Sequence, residues 1–351
     1  MIVATLAFTL WAAATASATR EANPFTIFHK DAKRLFGPSP TLELLHENKS
    51  IPFAHEAGVF IPRDNTLFVT SNRFQDPSTQ EQQQQQRIVI TKISLPPLSS
   101  SSSSSSSPNK TRQPVRVEEV QTRNVPMPNG GVNYKDGILF CAQGSLNTSS
   151  GLSFMESRPP YRSRYILQSY MNRPFSSPND LVIHRRDGSI WFTDPIYGFE
   201  QGFRPRPRLP SQVYRFDPRT RSIRVVADGF GRPNGIAFSP DERVLYVTDT
   251  HRFHGDGVID DTHPSTMRVF AMADAGVPDG IKCDVYGNVY SGSGDGISIW
   301  SPGGTLLGKI FVSGGVANFC FGRRGEIFIL NEKRLLRAKL APSTKGALLG
   351  I

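Results

Sequence analysis

The sequence predicts an all-β fold, a six-bladed β-propeller. Three observations predict it. One phrase recurs along the chain. Strand-like runs fill the intervals between its copies. Helical periodicity is almost absent after the first residues.

The phrase is plainest in "SPNDLVIHRRDGSIWFTDP" (Ser177–Pro195) and "RPNGIAFSPDERVLYVTDT" (Arg232–Thr250). Each has a Pro-Asn pair, a short apolar run, a polar turn, a second apolar run and Thr-Asp. Further copies begin at Glu56 ("EAGVFIPRDNTLFVTSN"), Asn129 ("NGGVNYKDGILFCAQG") and Asp279 ("DGIKCDVYGNVYSGSG"), and near Ala317 ("ANFCFGRRGEIFIL"). The turns carry Asp, Gly, Asn or Arg, as strand-to-strand turns do. Between the copies lie "RYILQSY", "SQVYRFDP", "SIRVVAD", "MRVFAMA", "GISIWSPGG" and "TLLGKIFVSGG". Each unit therefore holds about four strands, and four-stranded units repeating at roughly this interval build a propeller. A β-sandwich would not need the matched phrases.

The remaining elements follow in chain order. Residues 1–18, "MIVATLAFTLWAAATASA", join an apolar stretch to Ala16-Ser17-Ala18, the pattern of a cleaved secretory signal peptide. The run is too short to span a membrane, so no membrane association is expected once it is removed. Residues 19–351 are expected to form one propeller. Residues from about Phe25 to Leu45 are expected beside the C-terminal strands, completing a blade. Two polar low-complexity tracts, about 75–87 and 96–114, read as loop insertions flanking "IVITKISL". Asn48, Asn109 and Asn147 each begin an Asn-x-Ser/Thr sequon, which agrees with secretion and N-glycosylation.

Composition narrows the classes further. The formal charge is +10, but Lys and Arg are scattered, and no basic-aromatic motif suggests nucleic acid. Cys141, Cys283 and Cys320 lie in apolar runs and make a poor disulfide framework, so they read as small buried hydrophobes. Oligomeric state is not legible.

In a propeller the first strand of each blade lines the axis, and the residue before it faces the channel mouth. The repeat-initial residues are Glu56, Asn129, Asn179, Asn234, Asp279 and Ala317. Five of them carry a side-chain oxygen, the hard donor type suited to Ca²⁺ or Mg²⁺. Asn, Asp and Gly are also ordinary turn residues; Glu56 is a poor turn former in the same slot. An axial metal site is the expectation.

"PNDLVIHRRDGSIWFTDPIYG", "RPNGIAFSPDERVLYVTDT" and "PDGIKCDVYGNVYSGSGDGISIWSPGG" resemble the gluconolactonase and regucalcin-like (senescence-marker-protein) family of propeller lactonases. "DPIYGFEQGFRPRPRLPSQVYRFDP" is most similar to its secreted fungal lactonohydrolase branch. The resemblance implies one catalytic divalent cation, Ca²⁺ foremost, with Mg²⁺, Mn²⁺ and Zn²⁺ as alternatives, and a small-molecule lactone as substrate. It puts the metal ligands on Glu56, Asn179, Asn234 and Asp279, and leaves Asn129 nearby, on substrate or structure. The arginine that animal members carry two residues before the first ligand asparagine is replaced by Ser177, so animal-type sugar specificity is not implied.

Such a cation would polarise the lactone carbonyl, and a base must activate water. Asp279 is the first candidate base. "DTHRFHGDGVIDDTH" offers His251, with His254 beside it. Tyr197 and Phe199 are expected to cover the mouth and touch substrate. No Gly-x-Ser-x-Gly elbow occurs, which argues against a serine esterase. A phosphotriesterase would use the same donors, a strictosidine-synthase-like propeller would not need them all, and a protein-binding propeller would need none.

Overall fold

A computed structural model describes residues 23–75, 86–96, 115–251, 258–263 and 266–351. The signal segment, most of both low-complexity tracts, Asn109 and His254 lie outside the described residues. Five sheets have the four strands expected of a blade, and a further sheet has five. The first blade comprises Glu56–Ile61, Thr66–Thr70, Ile90–Ser94 and Arg116–Val120, and the second Pro128–Tyr134, Gly137–Ala142, Gly151–Glu156 and Ser163–Leu167. The third runs through Leu181–Ile183, Ile190–Asp194, Gln212–Phe216 and Ile223–Ala227, and the fourth from Pro233–Phe238 to Thr266–Met272.

The two ends of the chain account for the irregularities. Thr41–Glu47 pairs antiparallel with Arg334–Lys339 and supplies the outermost strand to the sheet that begins at Asn318–Phe321. Phe25–Ile27 pairs with Leu306–Phe311, giving the sheet that begins at Ile281–Cys283 its fifth strand. Four equal strands per unit is therefore corrected at one sheet. The N-terminal segment ties two neighbouring sheets at their rims, because an open outer edge leaves backbone groups to be paired.

The innermost strands follow one another around the axis. Glu56–Ile61 packs on Pro128–Tyr134, that strand on Leu181–Ile183, then Pro233–Phe238, Ile281–Cys283 and Asn318–Phe321, which returns to Glu56–Ile61. Each blade is thus covered on both faces. That is why "GILFCA" (Gly137–Ala142) and "EIFILN" (Glu326–Asn331) are buried along their whole length. The core is a set of inter-blade layers, such as Phe175, Phe192 and Tyr214, where Phe192 and Tyr214 stack at 5.4 Å.

Helix is confined to α1 (Ala32–Phe36) and α2 (Tyr197–Glu200). Within the expected loop 75–87, Gln86–Arg87 pairs with Phe74–Gln75 in a two-stranded ribbon. The three cysteines are buried and unbridged, and burial pushes the Cys283 and Cys320 thiols up, Cys320 to about 12. Among the described residues no helix is long and apolar enough to cross a membrane.

Candidate active site

The recurring phrase closes the mouth of the channel by two devices. The aspartate of Thr-Asp grips the loop leading into its own blade. Asp194 accepts from the backbone N–H groups of Ser176 (2.9 Å) and Ser177 (2.8 Å). Asp249 accepts from Gly231 and Arg232, both at 2.8 Å. Proline follows each gripped pair and has no N–H to offer, so the carboxylate satisfies the donors that the turn exposes. The threonine reaches onward. Thr193 Oγ1 donates to the Asn234 carbonyl (2.7 Å), and Thr248 Oγ1 to that of Asp279 (2.8 Å). Thr70 Oγ1 does the same to Asn129 (3.0 Å). Each threonine therefore fixes the repeat-initial residue of the next blade.

Those repeat-initial side chains meet at one cavity of about 440 Å³. It is lined by Glu56, Asn129, Asn179, Asn234 and Asp279, with Tyr197, Thr250, Arg73 and Arg232 around them. Glu56, Asn179 and Asn234 are buried. Asn179 Oδ1, Asn234 Oδ1 and Asp279 Oδ1 are buried oxygens with no hydrogen-bond partner. Buried polar atoms are ordinarily paired; three unpaired acceptors at one cavity are what a hard cation would satisfy. Among the described residues no group of three His, Cys, Asp or Glu is placed to hold a metal. The donor set is instead two carboxylates and two amides.

The carboxylates behave accordingly. Burial raises Glu56 above the ordinary carboxylate range, and the Asp279 charge raises it further. Burial also raises Asp279, with Asp180 adding to the effect. Glu56 Oε2 accepts from Asn318 Nδ2 at 2.7 Å, which fixes its orientation. Asn318, not Ala317, thus brings the last repeat to the site, one position later than expected. Its carbonyl oxygen fills the space a Cβ on Gly280 would need, only 2.3 Å away. Asp180 does the same over Gly130, and pairs with Lys282 at 3.5 Å. Residues in the second slot therefore interlock, and glycine stands where a neighbour's side chain reaches in.

The other expected residues are distributed unevenly. Tyr197 lines the cavity; its hydroxyl contacts Thr250 Oγ1 and accepts from Asn234 Nδ2 at 3.4 Å. Asn129 lines it too, but its Oδ1 accepts from the adjacent Gly130 N–H at 2.9 Å. Phe199 is exposed on α2 and is not part of the lining. His251 is absent from the lining as well; its side chain packs on Gly231, and its N–H donates to Asp249 (3.1 Å). Ser177 is buried at the base of α2, donating to Pro195 O (2.8 Å) and accepting from Gly198 N–H (2.9 Å). Arg204 is a buried staple beneath α2, bonding Ser176, Ser145, Thr148 and Phe175 carbonyls.

Sequence reasoning missed His55, Arg73 and Arg232. His55 Nδ1 lies 2.7 Å from Glu332. Burial opposes the charged ring, but the bond and charge of Glu332 outweigh it, so its pKa is raised. Arg232 pairs with Glu200 of α2 at 2.7 Å. His55 flanks the Glu56 slot and Arg232 precedes Pro-Asn, so adjacency to the phrase was the available signal.

Fold and site define a β-propeller with a cavity lined by buried, oxygen-bearing side chains where its innermost strands begin. The chain belongs to the SMP-30/gluconolactonase/LRE-like family, whose pattern it matches over residues 111–330. It is similar to a gluconolactonase of Zymomonas mobilis, 31% identical over 232 residues, covering 61% of this chain and 63% of that protein. It is similar to the lactonohydrolase oryL of Aspergillus oryzae, 25% identical over 350 residues, covering 88% of this chain and 72% of that one. Among solved structures, a Xanthomonas campestris gluconolactonase superposes with TM-score 0.69 at 24% identity, covering 91% of this chain and 95% of that one. A calcium-binding regucalcin from Agrobacterium tumefaciens gives 0.56 at 12% identity, covering 88% and 95%. These two likenesses bear on the fold alone.

Proposed function

We propose that the protein is a lactone hydrolase that depends on one divalent cation, Ca²⁺ foremost, held by Glu56, Asn179, Asn234 and Asp279. The single observation carrying this reading is the set of unpartnered, buried oxygens on three of those four residues, beside the carboxylate of the fourth. Family membership and the lactonase names of the relatives support the reaction class. We read the five-stranded sheet as the sixth blade of a closed ring.

When bound, the cation would polarise the lactone carbonyl and stabilise the developing oxyanion. The protein's own part is positional. Asn318 holds Glu56, and because Asn234 gives its Nδ2 to Tyr197, its unpartnered Oδ1 would be available to hold the cation. The Thr-Asp devices fix the loops beneath Asn179 and Asn234. Asp279 is the cavity carboxylate proposed to take the proton from attacking water; His251, outside the lining, is not needed for that step. Asn129 and Tyr197 are the proposed substrate contacts. We further propose secretion after cleavage behind residue 18, with glycans on Asn48, Asn109 and Asn147; Asn147 is exposed.

The test is a lactone panel followed by pH-stat, before and after exhaustive chelation and with Ca²⁺ added back. Activity lost on chelation and restored by the ion is expected. Full activity in the chelated protein would overturn the reading. Turnover of phosphotriesters but not lactones would redirect it to that class, and neither activity would favour a binding propeller.

A further inference from the structure

Arg73 stands out when the charges around the cavity are paired off. Arg232 is held by Glu200 through two hydrogen bonds, 2.7 and 2.9 Å. His55 is held by Glu332, which also accepts from Asn72 Nδ2. Lys282 lies against Asp180. A divalent cation would balance Glu56 and Asp279. Arg73 lines the same cavity, and among the described residues no carboxylate pairs with it. Glu332, which bonds the neighbouring Asn72, is already engaged by His55.

Its backbone is fixed where it stands. Asn72 Oδ1 accepts from the Arg73 N–H at 2.8 Å, and the Asn72 N–H donates to Pro52 O at 2.9 Å. The backbone is therefore fixed, and the exposed side chain brings a guanidinium with no carboxylate partner to the cavity that Glu56, Asn179, Asn234 and Asp279 line. A guanidinium presents a planar fork that matches carboxylate, sulfonate or phosphate oxygens. Apolar Val277 and Ile88 line the same cavity.

We propose that Arg73 selects lactones bearing an anionic oxo substituent, binding that group while the lactone carbonyl faces the centre. The inference rests on the lactonase reading for its substrate class, and on the unpaired guanidinium for its specificity. Arg73 is a specificity residue here and takes no part in the bond-breaking step.

The experiment compares wild type, Arg73→Gln and Arg73→Lys on a matched pair of substrates, glucaric acid monolactone (carboxylate-bearing) and gluconolactone (neutral). The expected result is a fall in the anionic-over-neutral ratio of kcat/KM of roughly tenfold or more in Arg73→Gln, carried mainly by KM, with partial recovery in Arg73→Lys. Added salt should narrow the wild-type ratio. An unchanged ratio in Arg73→Gln would overturn the proposal.

A binding arm keeps this separate from the reaction itself. Pyroglutamate, a lactam carrying a carboxylate, and neutral pyrrolidinone are titrated into the intact protein by NMR. Wild type should prefer pyroglutamate, and Arg73→Gln should lose that preference. If wild type turns over neither lactone yet keeps the preference, the lactonase reading fails while the anion site stands. If wild type binds both lactams alike, the anion site fails whatever the protein hydrolyses.

Discussion

The third and fourth blades open with the same words and use them differently. In both, Pro-Asn carries an unpartnered amide oxygen to the cavity, and the aspartate of Thr-Asp grips the two N–H groups before the proline. What differs lies one residue to either side. Ahead of proline, the third blade has Ser177, buried beneath α2, and the fourth has Arg232, lining the cavity. After asparagine, the third has Asp180, filling the space over Gly130, and the fourth has Gly235, where a Cβ would lie only 2.4 Å from the Asp279 carbonyl oxygen and so could not be accommodated. Repetition thus fixes the frame and the donor oxygen. The flanking residues are free to differ, and they decide what the cavity offers.

The strongest way to break this equivalence is to remove each donor in turn. Asn179→Ala and Asn234→Ala should each cost roughly hundredfold or more in activity, and weaken Ca²⁺ binding in calorimetry, while leaving the melting transition of the calcium-free protein nearly in place. The losses should agree within about threefold if the two oxygens serve one ion. Loss in one variant alone would mean that the matched phrases do not build a common centre.

Removing the grips tests the frame instead. Asp194→Ala strands two buried N–H groups, at a cost of about 2–4 kcal/mol in denaturant unfolding. Asp249→Ala strands the equivalent pair, but less deeply: Asp194 is fully buried, whereas Asp249 is 6% exposed. Its cost should be the smaller of the two. Equal and negligible costs would show that the loops hold without the carboxylates.

Tyr197→Phe sharpens the comparison further, because Tyr197 touches Asn234, and among the described residues no side chain bonds the Asn179 amide in the same way. Ca²⁺ affinity should fall by about tenfold or less, through loss of the hydroxyl that orients one amide. A loss as large as that of Asn234→Ala would make the tyrosine a ligand-equivalent residue and not an orienting one.

The blades were legible because their strands are bounded by turn residues and repeat at a readable interval. That Glu56, Asn129, Asn179, Asn234 and Asp279 would meet was legible for the same reason: a repeat converts sequence position into position around the axis. Contacts between repeats were not. Asn318 sits one residue away from the aligned Ala317, and only the inner-strand packing brings its amide to Glu56. Phe199 follows Tyr197 by two residues, but α2 turns them to different sides, so one lines the cavity and the other is exposed. His251 follows Thr250 directly, yet packs against Gly231 and leaves the lining to its neighbour. Sequence distance does not encode which way a loop side chain turns.

The smallest expected effect lies at Arg232. Its ion pair with Glu200 is a fourth-blade feature tied to α2, and the third blade replaces it with the buried hydroxyl of Ser177. The two side chains remain 27% and 31% exposed, so solvent and salt screen the pair. α2 does not depend on it, since Ser177 and the Arg204 staple hold the same turn from below. Arg232→Gln should therefore cost under about 1 kcal/mol in unfolding, and less still at high salt. The Asp249 grip uses the Arg232 backbone, which glutamine keeps, so the leading loop should stay in place. A loss comparable to Asp249→Ala would mean that the side chain, and not the gripped backbone, secures the fourth blade.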